Sequence, residues 1–547
     1  MKKKWLFLVL AASVSVMLAA GAQSPKKTQA NPNAAVQKKS ATARVKTAVP
    51  SVQAQMLSGL PTGWAALKNI TNRTTHDNEV AVGAVDAASN AYCVWTEWFG
   101  SIGEQRNIAF ATNKSGTWST PYGWPLDYPD ISDVGFPALA VTTDGATAVV
   151  AYHDGDLSLS LMAVKEREFS NGTWSTVKNI SGASEASSYV TLSTNPVDNT
   201  IFAVWMADLS PMQLKYKYRD PSTGQWSGGM LVNTGAAGGQ YLPNLYVDKT
   251  GTAHLVYIVR NGNASVWYTK NANPRNNSGW TTPMELTADS GLNFTYPKVT
   301  ADWDGNAYAV WQQIQSGLSS IMLRYMVDGA WGAAANISNL TDPSETAYPA
   351  VNGLTKEMYF VWQTAFGFAS GNTNWDCCMK TYEIDKTTGQ KAWSDVYRIT
   401  SYPGHAGEPQ IKIQKDGDLH VFFFDNLPPG DGAADIFYSY KLAPRLYALN
   451  APTVTTQLNK VLFATQKFNT ITFAKNPDND DTKIQEYRLY RKTAGEADST
   501  FILLTTLNVS TFQFVDKKLP LGTRYAYMVS VVNKDGLELK SGVTIEP

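Results

Sequence analysis

Cysteine is scarce: Cys93, Cys377 and Cys378 are the only three in 547 residues, too few for a disulfide framework. Cys93 lies in the apolar run AYCVW and reads as a small buried hydrophobe, while the adjacent Cys377 and Cys378 read as packing or free thiols, with a strained vicinal disulfide as the alternative. Histidine numbers five, and no spacing joins one to a cysteine in a metal-binding pattern, so no metal and no cofactor are expected. Net charge is missing too, 46 Lys and Arg standing against 46 Asp and Glu. Nine of the basic residues fall in the first 60 positions, where no acidic residue occurs, which leaves residues 61–547 mildly acidic. That balance excludes nucleic acid as the partner, because phosphate binding needs a basic footprint. Nucleophile elbow, phosphate loop and metal-binding helix motifs are absent as well.

What is present begins with Lys2, Lys3 and Lys4, the apolar run WLFLVLAASVSVMLAA and the small residues Ala20, Gly21 and Ala22. Charged, apolar and small segments in that order predict a secretory signal peptide over 1–22, cut after Ala22. No second apolar run follows, so no membrane span is expected, and the protein is expected to be secreted, extracellular or periplasmic. Residues 23–60 are rich in Ala, Lys, Gln, Ser and Thr and lack aromatics, which predicts a flexible basic linker.

From Trp64 onward the chain repeats. Trp64, Trp118, Trp174, Trp226, Trp280, Trp331 and Trp393 sit in similar settings, separated by 54, 56, 52, 54, 51 and 62 residues. A period near 50 residues is the mark of a propeller or solenoid. Each period holds a strand that often opens near a proline (FPALAV, LPNLYV, YPKVTA, YPAVNG, EPQIKI), then a strand ending in an aromatic: Trp95, Tyr152, Trp205, Tyr257, Trp311, Trp362 or Phe423. A third strand and a Trp-anchored fourth follow, and no helical periodicity intervenes. The predicted fold is all-β: a seven-bladed β-propeller over 61–443, with an N-terminal strand from Gly63 closing a last blade that lacks its own Trp strand. After Leu442 the composition shifts, and apolar alternation over 450–547 predicts a seven-strand β-sandwich.

The G-x-W turns and aromatic strands of 63–442 resemble the sialidase-superfamily (BNR/Asp-box-like) repeat propellers. The run LGTRYAYMVSVVNKDG resembles the late strands of fibronectin type III domains, a likeness that implies Tyr525 as the corner tyrosine, although Phe473 stands where that family usually has Trp. The superfamily fold hosts hydrolases, lyases and lectins, so the resemblance implies a fold more than an activity. A sialidase would carry an Arg triad and an FRIP motif; no FRIP segment occurs, and Arg106, Arg167, Arg219, Arg260, Arg275 and Arg324 mostly fall in third strands or turns. Sialidase activity is not transferred.

Propeller topology returns the loops after strands two and four to one face, where ligands commonly sit. Those loops offer Trp98, Asp156, Arg260, Gln312, Gln363, Trp375 and Asp425 for ligand binding, a mixture of acids, amides and aromatics suited to sugars. The first functional reading is a secreted, monomeric propeller that binds extracellular glycan or protein. The alternative is a carbohydrate-active enzyme, with Glu97 and Asp154 as hydrolase carboxylates or His153 or His405 in a lyase. His254 and His420 occupy equivalent strand positions and read as packing, and Tyr296 and Tyr348, which precede prolines, read as structural.

Overall fold

The computed structural model describes most of residues 56–547. Residues 1–55, 72–76, 100–104, 127–134, 157–160, 183–184, 233–234, 236–237, 288–291, 354, 372–373, 385–389, 401–403, 415–416, 427–433, 444–445, 478, 480 and 535–537 lie outside the described residues, and with them the expected signal peptide and most of the expected linker.

Second strands such as Ile201–Ala207, Met358–Thr364 and Leu419–Asp425 are buried along their whole length, and the described strands of residues 56–441 form seven sheets. Their innermost strands are Asp77–Val85, Ala138–Val141, Ser187–Thr194, Gly239–Val247, Asn293–Ala301, Ser344–Val351 and Ala406–Ile413. Each inner strand touches the next in chain order, and the seventh touches the first, so the sheets close into a ring. This is a β-propeller; no α-helix occurs among the described residues.

Closure uses the N-terminal segment, as expected. Lys68–Asn69 pairs antiparallel with Asp435–Lys441, the outermost chain-order strand of the last sheet. Ala65 donates to the Tyr440 carbonyl at 2.8 Å and Ile70 to the Ile436 carbonyl at 2.9 Å. A second piece departs from expectation: Met56–Ser58, inside the span read as linker, pairs in parallel with Val396–Arg398 of the sixth sheet. An outer strand leaves a row of unpaired amides and carbonyls, and three residues of passing chain suffice to cover it.

Packing between sheets explains both aromatic series. Trp95, Tyr152, Trp205, Tyr257, Trp311, Trp362 and Phe423 are all buried, each filling the wedge between neighbouring sheets. Half-buried tryptophans in or just before the outer strands reach back onto the preceding sheet: Trp118 meets Tyr438 edge-on at 5.0 Å, Trp174 meets Phe110 at 5.0 Å, and Trp331 meets Tyr268 at 5.0 Å. His254 and His420 are buried as expected, sharing hydrogen bonds with the Tyr268 and Tyr438 hydroxyls at 2.8 and 2.9 Å. The three cysteines are buried and unbonded.

Residues 453–545 make two further sheets, one of Thr453–Val461, Ala464–Thr472 and Gln513–Leu519, the other built around Ile484–Thr493 and Tyr525–Asn533. Ile471, Phe473, Tyr487, Leu489, Tyr527 and Val529 pack between them as a sandwich core. Tyr527, rather than Tyr525, buries its hydroxyl and donates to Asp516 at 2.8 Å. The two tyrosines share one strand face, but Tyr525 is the strand's first residue and lies half-buried, while Tyr527 further in is fully enclosed.

Deleting residues 1–71 removes both added strands. The expected outcome is loss of the cooperative thermal transition that a chain starting at Met56 retains; identical melting curves for the two truncations would show that ring closure does not depend on these strands.

Candidate functional site

Every inner strand is the free edge of its sheet, so its outward amides need acceptors at the axis. The neighbouring inner strand supplies them: Leu245 N donates to Thr191 Oγ1 (3.4 Å), Val247 N to Ser193 Oγ (2.9 Å), Val299 N to Asn244 Oδ1 (2.9 Å) and Gly83 N to Gln410 Oε1 (3.4 Å). The axial side chains are thus partly structural, knitting one sheet to the next.

Six inner strands also carry a β-bulge, where the register slips between Glu79 and Val82, Ser188 and Thr191, Tyr241 and Asn244, Thr295 and Lys298, Glu345 and Tyr348, and Gly407 and Gln410. At each slip one non-glycine residue is left-handed: Val80, Tyr189, Leu242, Tyr296, Thr346 and Glu408, with φ between 48° and 56°. A side chain in that region costs of order 1–3 kcal/mol and persists only where its surroundings over-determine it. Proline suits the next position, since an extra residue with no ladder partner needs no donor, and Pro243, Pro297 and Pro409 stand there. Side chains of adjacent sheets cap several bulge amides. Tyr189 N donates to His153 Nδ1 at 3.3 Å, Glu408 N to Gln363 Oε1 at 2.8 Å, and Val80 N to the Glu408 carboxylate.

These strands enclose an axial cavity of about 530 Å³. Its wall comes in tiers two residues apart, the spacing of one strand face. Sheets one and two present Val80, Val82, Ala84, Phe136, Ala138 and Ala140, an apolar side. Sheets five to seven present Tyr296, Lys298, Tyr348, Glu408, Gln410 and Lys412, a polar side. Burial pushes the Glu408 carboxyl up to about 7, with Lys298 opposing, and also raises Glu345. Enclosure lowers the Lys298 and Lys412 ammonium groups to about 8 each. Tyr296 lies within the electrostatic reach of Tyr189, Glu345 and Glu408.

Of the residues singled out from sequence, Gln312 and Gln363 stand on this wall. His153 is buried just behind it, stacked on Phe136 at 5.4 Å. The others lie near the ends of second strands or beside them. Glu97 is buried and accepts from Asn107 at 3.3 Å, and Trp98 carries the Arg106 guanidinium 3.4 Å above its ring. Asp154 pairs with Lys165 at 3.3 Å, and Arg260 lies 5.2 Å over Tyr241. Trp375 is half-buried, its carbonyl accepting from Ala406 at 2.9 Å. Asp425 is buried and raised to about 7 by burial and then by Asp376, and burial lowers His405 to about 4. The Asp156 side chain lies outside the described residues. Tyr296 and Tyr348, expected to be structural, face the cavity instead, as do Lys298, Glu345, Glu408 and Lys412, which sequence reading passed over. The X-Pro steps held the signal: the residues before and after Pro243, Pro297 and Pro409 both face the axis.

No family model and no curated protein matches the sequence. Solved structures do share the fold. The polysaccharide lyase Uly1 aligns at 12% identity over 66% of this chain and 89% of its own, with a TM-score of 0.48. The BP39L lectin from Burkholderia pseudomallei aligns at 12% over 68% and 94%, with a TM-score of 0.42, and a leech intramolecular trans-sialidase at 9% over 64% and 83%, with a TM-score of 0.39. Likeness at this level concerns the fold alone and carries nothing about activity.

Glu408 gives a pH signature. Its folded value of about 7 lies above the ordinary 4.5, so between those values the folded chain binds the extra proton and stability falls as pH rises. Glu408→Gln lacks that dependence. Comparing melting temperatures at about pH 5 and pH 7.5, the variant is expected to gain on the parent at the higher pH; a constant difference would show that Glu408 titrates normally.

Proposed function

We propose that this is a secreted, monomeric, seven-bladed propeller that binds an extracellular carbohydrate in its axial cavity. The supporting observation is the cavity wall: half-buried Tyr189, Tyr296 and Tyr348 line one cavity together with Asn244, Gln312, Gln363, Glu345 and Glu408. Aromatic faces pack against sugar rings, while amides and carboxylates meet hydroxyls, and about 530 Å³ lies within the roughly 300–1,000 Å³ of small-molecule sites. The C-terminal sandwich serves as a spacer or docking module, and its three-plus-four main strand order supports a fibronectin type III-like reading.

A carbohydrate-active enzyme is the second reading, favoured by one observation. Glu345 and Glu408 are both raised by burial and both act on Tyr296, and a carboxyl near 7 is suited to general acid catalysis. Incubating residues 23–547 with a mixed polysaccharide and oligosaccharide panel, then measuring retention and fragment masses, separates the two. Retention without fragments is expected, with Tyr296→Ala weakening it by about tenfold or more. Fragments that vanish in Glu408→Gln would establish the enzyme, water addition marking a hydrolase and unsaturated ends a lyase. Neither retention nor fragments would overturn both readings.

A further inference from the structure

Resting on the carbohydrate reading, we propose that the cavity holds an anion subsite, in which Lys298 and Lys412 take a carboxylate or sulfate group of the saccharide on either side of the Tyr348 ring. Lys298 comes from the inner strand of the fifth sheet, Tyr348 from the sixth and Lys412 from the seventh, so the three form an arc on one side of the axis. The Lys298 ammonium lies 4.8 Å and the Lys412 ammonium 5.6 Å from the Tyr348 ring centre. The opposite side of the cavity is the apolar surface of Val82, Ala84, Ala138 and Ala140.

The ring's own construction does not call for these lysines. At the tier of Lys298, the third, fourth and seventh sheets place Thr191, Asn244 and Gln410, each accepting a hydrogen bond from an amide of the next inner strand. An ammonium has no lone pair and cannot do that work. Neither lysine makes an ion pair among the described residues, so each keeps donors for a ligand. Lys298 and Lys412 share the arc with two carboxyls, Glu345 and Glu408, both raised by burial; proton uptake by these carboxyls as pH falls leaves the two ammonium charges less compensated, and an incoming anion relieves their mutual repulsion. Charge-assisted bonds in such an enclosure are the strong ones.

The test is calorimetric titration of the full mature chain at about pH 6.5 with three probes: oligogalacturonate for carboxylate, sulfated galactan oligosaccharides for sulfate and cello-oligosaccharides as the neutral reference. At least one acidic probe is expected to bind about tenfold or more tighter than the neutral one, the size of one charge-assisted hydrogen bond. Which acidic probe it is distinguishes the two anions. Lys298→Met and Lys412→Met are each expected to abolish the preference, and Lys298→Arg, which keeps the charge and serves as the control for folding, to retain much of it. Equal binding of acidic and neutral probes overturns the anion subsite while leaving the carbohydrate reading standing, as does a preference that survives both methionine variants. Failure of all three probes to bind overturns both.

Discussion

Seven inner strands, each a free sheet edge, meet around an axial cavity, and the amides on those edges must find acceptors there. A buried amide left without one costs about 1–3 kcal/mol, so a ring of open edges would be ruinous for the fold. The chain answers with side chains. Thr191, Ser193, Asn244 and Gln410 each reach one strand further round to take an amide, and His153, Gln363 and Glu408 do the same for the bulges. Once that stitching is in place the sheets cannot slide, and the wedge aromatics between them have fixed walls to pack against.

The same constraint creates the site. An extra residue in each of six inner strands turns one side chain toward the axis in a conformation that non-glycine residues rarely adopt. Strain of this kind survives only on a rigid support, and here the support is the closed ring itself. Positions committed to stitching are chemically restricted to acceptors. Positions not so committed are free to vary, and it is there that Tyr296, Lys298, Tyr348 and Lys412 appear.

Fold and site differed in how legible they were. Repetition made the fold readable: Trp118, Trp174 and Trp331 recur because each clamps the preceding sheet, and a recurring clamp leaves a recurring letter. Closure was readable because Gly63 onward is an orphan fourth strand and Asp435–Lys441 lacks one. Met56–Ser58 was not, since three residues carry too little pattern to separate a strand from a spacer. Glu97, Asp154 and Asp425, expected in loops around an open mouth, are buried in the structure.

The cavity wall escaped for a physical reason. Inward-facing residues of an inner strand look, in sequence, like the solvent face of any half-buried strand, and a bulge shifts their phase by one. Tyr296 and Tyr348 both precede proline, yet Tyr296 is the left-handed residue of its bulge and Tyr348 is the first paired residue after one. Tyr348 is therefore the counterpart of Lys298, not of Tyr296, and the two tyrosines sit on successive tiers of the same wall. With the bulge phase included, the inner strands spell out an asymmetric ring in which stitching acceptors such as Asn244, Glu408 and Gln410 stand beside Tyr296, Lys298, Tyr348 and Lys412, whose polar groups the bonds between inner strands do not use.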